Sequence, residues 1–227
     1  MTDAGTTALR SFFQKLAPHL VDSIVAVMAP RDPDTIREEA TAAFEQLIPQ
    51  TPYVDRPDHV MAESMYFCMA ALAFKGPLEN RGYDVHDLGR AVLDIARRNL
   101  EGADPEQDPS RAPEAMARLR RDALESQNEA SPDEFVFEII DGEGDVDYGM
   151  NIKSCAICKA YSKHNAMDLV PYMCASDDVV SEALDRGLQR TGTIALGAHQ
   201  CDFRFQRGGP GRALANQYPN QIIRWID

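Results

Sequence analysis

Positive charge is in short supply in this sequence. There are 23 Lys and Arg against 36 Asp and Glu, giving a formal net charge of -13 and a pI of about 4.8. Such a surface repels a phosphate backbone and argues against nucleic acid as a partner. It leaves room for a small anionic ligand, because one arginine can reverse the field inside a pocket. Long apolar runs are also missing. The run ending at Phe74 falls far short of a membrane span, and the opening "MTDAGTTALRSFFQKL" is too mixed for a signal peptide. These absences predict a cytoplasmic protein with no membrane partner. Cysteine is sparse and odd in number: Cys68, Cys155, Cys158, Cys174 and Cys201. An odd set in a chain of this length argues against a disulfide scaffold and leaves free thiols, a metal site or a reactive thiol. No internal repeat is visible. What is present in quantity is apolar residues, at 44% of 227, enough for a sizeable core.

The first half reads as helices. Leu9, Phe12, Phe13, Leu16, Leu20, Ile24 and Val27 recur at helical spacing, which predicts a helix over 8–28 that ends at "APRDP". A second helix is expected through Ile36, Ala40, Phe44 and Leu47, with Asp34 as its cap, a third over 58–74 and a fourth over 84–99. "LEGADPEQDPSRAPE" reads as a polar linker with three prolines, and 113–126 as one more helix. The character then changes. "DEFVFEII" predicts a strand covered on both faces, and 148–153 a second. A short helix over 155–164 follows. "PYMCASDD" reads as a boundary, with a helix over 179–188 whose start lies near Ser176, Asp177 or Asp178. Residues 189–196 read as a strand, 197–200 as a turn, and 201–206 as a strand pairing back. Gly208, Gly209 and Gly211 loosen the chain before a short tail. The expected fold class is α+β: a helical layer, 1–126, on a small antiparallel sheet with short helices, 127–227, in one compact unit.

Several stretches carry chemistry. "DGEGDVD" holds four acidic side chains within seven residues, but its spacing misses the calcium-loop pattern. "CAICK" puts Cys155 and Cys158 on one helical face. A redox dithiol would place this pair after a strand of a parallel βαβ unit, which the sequence lacks. Cys155, Cys158, Cys174 and Cys201 make a conceivable four-thiolate zinc set, although no second close pair completes it. Asp177 and Asp178 are either simple helix caps or carboxylates with proton work to do. Strand alternation puts Cys201, Phe203 and Phe205 on one face and Asp202, Arg204 and Gln206 on the other. On alternation alone, Cys201 reads as a small buried residue among phenylalanines.

Three segments carry a resemblance: "VFEII", "SCAICKAYSKHNAMDLVPYMCASDD" and "QRTGTIALGAHQCDFRF". Together they resemble the L-2-amino-thiazoline-4-carboxylic acid hydrolase family. The family pattern of a cysteine opening a short helix, a C-x-x-D element, a threonine-bearing strand, a glycine turn and a C-D-F strand falls here on Cys155, on Cys174 with Asp177, on Thr193, on Gly197, and on Cys201 with Asp202 and Phe203. Cys158 has no place in it. The resemblance implies hydrolytic opening of a small cyclic amidine, thiazoline or amide, with no cofactor. It makes Cys201 the expected nucleophile and Asp177 the acid/base, with Cys174 or Cys155 as a supporting thiol. A water activated by a carboxylate is the competing nucleophile. Thr193, Arg190, Arg204 and His199 are the candidate substrate-binding residues, and a substrate carboxylate would suit either arginine. Strand alternation turns Arg204 away from Cys201. A structural zinc protein and a non-catalytic small-ligand domain are the alternatives, and a homo-oligomer is compatible with each.

Overall fold

The computed structural model describes residues 2–211, so the expected tail lies outside the described residues. Helix α1 (Asp3–Met28) is capped by the Thr2 hydroxyl, which accepts from the Gly5 amide. Its buried stripe of Leu9, Phe13, Ala17, Leu20 and Ile24 packs against α2 (Pro33–Leu47), α3 (Ala62–Ala73) and α5 (Val85–Asn99). Asp34 sits in the first turn of α2 rather than capping it. Pro33, whose ring presets helical φ, starts this helix behind Asp32. Helix α3 is buried on nearly every side, as a helix apolar all round must be. The helix expected over 58–74 begins only at Ala62, and beyond it the chain turns into the short α4 (Lys75–Glu79). Asp84 and Asp87 form a reciprocal capping box at the start of α5.

The linker is not structureless. It forms two single-turn 3-10 segments, Pro105–Gln107 and Pro109–Arg111, each opened by an aspartate that accepts from the amide two residues on. Helix α6 (Pro113–Glu129) then lies over the edge of β1 (Val136–Asp141), where the Ser126 hydroxyl accepts from the Phe137 amide. Strand β2 (Tyr148–Ser154) leads into α7 (Ala156–Lys163). With β3 (Leu188–Gln189) and β4 (Cys201–Phe205), the strands form an antiparallel sheet ordered β1-β2-β4-β3. The fold is α+β, with N-terminal helices against this small sheet.

Two expectations near the site are corrected. The helix expected over 179–188 is α8, Val170–Ala183. Pro171 lies in its first turn, where its missing amide costs no hydrogen bond, so "PYMC" begins a helix rather than ending one. Asp177 and Asp178 are therefore helix-interior residues, and the cap reading fails for both. The strand expected over 189–196 ends at Gln189. Beyond it the Asp202 carboxylate accepts from the Thr191 amide, the Thr191 hydroxyl and the Gly192 amide, which draws the chain out of the sheet. A 3-10 turn, Ile194–Leu196, follows and closes on Gly197 at φ +90°, so Thr191, Thr193 and Ala195 do not share a strand face.

Candidate active site

Helix α8 is the backbone of the site, and α5 fixes its position. The two helices touch where Gly89 faces Tyr172: a Cβ on residue 89 would lie 2.4 Å from the ring. The Tyr172 hydroxyl meets His86 Nδ1 at 3.0 Å. One wall of α8 turns Met173, Ser176, Asp177 and Val180 into a cleft of about 440 Å³. Helix α3 adds Ser64, Phe67 and Cys68, and the sheet contributes Met150, Phe203 and Phe205. The register explains the sheet side. Met150 pairs with Phe203, and Tyr148 with Phe205, on one face, while Asn151 pairs with Asp202, and Gly149 with Arg204, on the other.

Asp177 faces the cleft and keeps 46% of its side-chain surface, although the residue lies deep in the fold. Burial raises its pKa above the ordinary carboxylate value; the Arg190 charge opposes this and the neighbouring Asp178 charge reinforces it. Arg190 is the buried hub. Its side chain is fully enclosed. Nη1 donates to Asp177 Oδ2 at 2.9 Å, and Nη2 donates to Asp178 Oδ2 at 2.7 Å and to the Cys174 carbonyl at 2.6 Å. The guanidinium also lies over the Phe203 ring, 5.1 Å from its centroid.

Cys174 and Cys201 each feel the charges of Cys155, Asp177 and Arg190, but of these five residues Asp177 alone lines the cleft. Cys201 is buried, with 5% exposure, and does not line the cleft. Its Sγ accepts from the Ile194 amide at 3.3 Å. Burial nonetheless pushes the thiol up to about 11. Burial raises Cys174 well above the ordinary thiol range. Cys155 is raised too, first by a hydrogen bond with the Cys158 side chain and then by burial. Cys155 caps α7, its Sγ accepting from the Cys158 amide at 3.4 Å. All five cysteines are free thiols. Among the described residues no group of three or more His, Cys, Asp or Glu side chains is arranged to hold a metal ion. The zinc set expected as an alternative thus has no ligand cluster behind it.

The remaining candidates divide. Thr193 is fully buried, and its hydroxyl has no hydrogen-bond partner among the described residues. Arg204 lies on the far face, where Nη1 donates to Asn151 Oδ1 at 3.0 Å. His199 is exposed in the turn before β4. Neither of these two is brought to the cleft. Two residues that sequence reasoning passed over are. Cys68 was hidden in an apolar run. Arg186, just past the end of α8, lines the cleft beside Leu188. Gly187 holds the chain there at φ +58°, with a Cβ excluded by the Gln206 carbonyl oxygen at 1.8 Å.

A model of the L-2-amino-thiazoline-4-carboxylic acid hydrolase family matches residues 87–205, just over half of the chain. The chain belongs to this family. Membership points to a hydrolase of that general class. The match runs from the first turn of α5 to the end of β4 and contains every candidate residue named from the sequence, whereas the α3 wall of the cleft lies outside it. Neither a curated protein nor a solved structure matches the chain. Among the described residues no helix is long and apolar enough to cross a membrane.

Proposed function

We propose that this chain hydrolyses a small cyclic amidine, thiazoline or amide, with Asp177 as acid/base. The observation that carries the reading is Asp177 itself. Its carboxylate faces a largely apolar cleft, is oriented by a buried arginine, and has its pKa raised by burial, the direction proton transfer near neutral pH calls for. In the family's namesake ring, the carbon between nitrogen and sulfur is electrophilic once the ring nitrogen is protonated.

Two routes share this acid/base. In the first, Asp177 takes a proton from water as the water oxygen bonds to the ring carbon. Asp177 then gives the proton to the leaving sulfur or nitrogen as the ring bond breaks. The burial of Cys201 and its protonated state favour this route. In the second, the proton of Cys201 passes to Asp177 and Sγ bonds to the ring carbon. Asp177 protonates the leaving atom, and water then displaces Sγ, which recovers its proton. Proximity to Asp177 and Arg190, and the Ile194 amide on Sγ, favour this one. Cys174 and Cys155 serve as neighbouring thiols in either case.

The test follows ring opening of thiazoline, imide and lactam carboxylates by wild type and Cys201→Ser, with intact mass recorded during turnover. A mass adduct on Cys201 and loss of most turnover in the serine variant establish the covalent route. Near-wild-type rates without an adduct establish the water route. No ring opening of any panel member by the wild type removes the hydrolase reading.

A further inference from the structure

We propose that the cleft takes a cyclic substrate bearing both a carboxylate and an apolar substituent, and that Nη1 of Arg186 holds the carboxylate. The inference rests on the hydrolase reading only for the ring; its binding geometry stands apart from turnover.

Arg186 is the cation among the described residues that line the cleft. One edge of its guanidinium is already fixed: Nε donates to Asp108 Oδ2 and Nη2 to Asp108 Oδ1, each at 2.8 Å. Nη1 has no hydrogen bond among the described residues, and the side chain keeps 29% of its surface. A planar guanidinium clamped on one edge presents its remaining donors in a set direction, so little side-chain entropy is lost when a second carboxylate arrives. Arg190 cannot take this role. Its side chain is enclosed and its Nη donors are engaged with Asp177, Asp178 and the Cys174 carbonyl. Arg186 and Asp177 line the same cleft, so one ligand in it meets both.

Volume supplies the second half. A bare five-membered ring acid has about nine non-hydrogen atoms, and even at the roughly 30 Å³ that a water molecule takes in the liquid it fills no more than about 270 Å³. The cleft holds about 440 Å³. Much of its wall is apolar, with Phe67, Leu100, Met150, Ile157, Phe203 and Phe205, although Ser64, Asn99, Ser176 and Ser181 also line it. A bare polar ring would leave water against that wall. An apolar substituent displaces it, and each buried methylene is worth roughly fourfold in affinity.

The test is equilibrium binding by calorimetry with three probes: 2-amino-thiazoline-4-carboxylate, its 5-benzyl derivative, and the carboxamide of that derivative. Wild type should bind the benzyl acid at least about tenfold tighter than the bare acid, and about tenfold tighter than the benzyl carboxamide. Arg186→Gln should lose the preference for acid over amide while still binding the benzyl carboxamide. Asp108→Asn, which loosens the clamp but keeps the guanidinium, should retain the preference. If Arg186→Gln does not fold, phenylglyoxal labelling of wild type replaces it, with the benzyl acid and not the carboxamide protecting Arg186. Equal binding of acid and amide, equal binding of bare and benzyl acids, or no binding of any probe overturns the proposal. So does an Arg186→Gln protein that keeps the preference, an Asp108→Asn protein that loses it as completely, or an unprotected Arg186. The expected binding without ring opening would sink the hydrolase reading and leave this inference standing; ring opening without an acid preference would do the reverse.

Discussion

Two arginines four positions apart each grip aspartate, and the two grips differ in kind. Arg186 closes both oxygens of Asp108 in a fork, and Ser110 adds its amide and its hydroxyl to the same carboxylate. Burial alone would push Asp108 up, but these donors pull it down to about 2. Arg190 divides its donors among Asp177, Asp178 and a carbonyl, and Asp177 receives a single bond from it. Burial there prevails and Asp177 is raised. The first carboxylate, only 1% exposed at its side chain, is saturated and pins the 105–111 segment to the end of α8. The second faces the cleft under-donated, which is the condition for moving a proton. The balance of hydrogen-bond supply against burial separates the structural carboxylate from the one proposed to move a proton.

The comparison breaks most visibly at Asp177. Asp177→Asn should lower the rate of ring opening by on the order of 100- to 10,000-fold. As the group that first accepts a proton, Asp177 must be ionised. In wild type kcat/KM should therefore fall as pH drops through a value above the ordinary aspartate pKa of about 3.9, and the variant should lack that limb. Stability should move differently. A raised folded pKa means that the stabilising contribution belongs to the protonated form and is lost as pH rises through that pKa. A neutral Asn should then match or exceed wild-type Tm at neutral pH. A variant with wild-type rates, or one that simply unfolds, would refute this assignment.

Asp108 carries the opposite sign. Its depressed pKa contributes stability that is present above the ordinary carboxylate value and lost as pH falls towards about 2. The shift from 3.8 to about 2 corresponds to roughly 2 kcal/mol at neutral pH. Urea titration of Asp108→Asn should show a loss of that size at pH 7, shrinking as the pH is lowered below about 4. A loss that persists undiminished in acid would mean that the clamp works by shape rather than by charge. Gly89→Ala sharpens the comparison from outside, because it displaces α8 and both grips together. Forcing a Cβ against Tyr172 should cost about 1–3 kcal/mol, and a variant as stable as wild type would show that the α5–α8 contact is slack.

Local signals made much of this legible. The helical period of α1, the 84–99 span of α5 and the alternation of β4 all survive in the structure. Pro171 misled because proline both ends and begins helices, and only the tertiary burial of Val170, Tyr172 and Met173 decides between them. The Thr191–Leu196 stretch alternates like a strand, yet Asp202, on the neighbouring chain segment, takes its amides away. Cys68 offered no signal inside an apolar helix. Arg186 gained its role from Asp108, 78 positions away, a separation that no local pattern encodes.

Arg204 gives the smallest expected effect and the cleanest check on which face of the sheet matters. It sits on β4 between Phe203 and Phe205, both in the cleft wall, so chain distance alone would place it at the site. The pleat turns it away, to Asn151 Oδ1 and to the carbonyl of Phe203. Arg204→Gln keeps a donor for Asn151 and removes a charge that the cleft does not see. Its kcat/KM should stay within about twofold of wild type and its stability within roughly 0.5 kcal/mol. Arg186→Gln, by contrast, should raise KM for acid substrates about tenfold. The two variants remove the same charge, one from β4 and one from the segment just before β3. Equal losses of acid affinity in both would mean that the substrate feels only the general field of the protein, and the contrast between clamped and cleft-facing arginine donors would have no functional content.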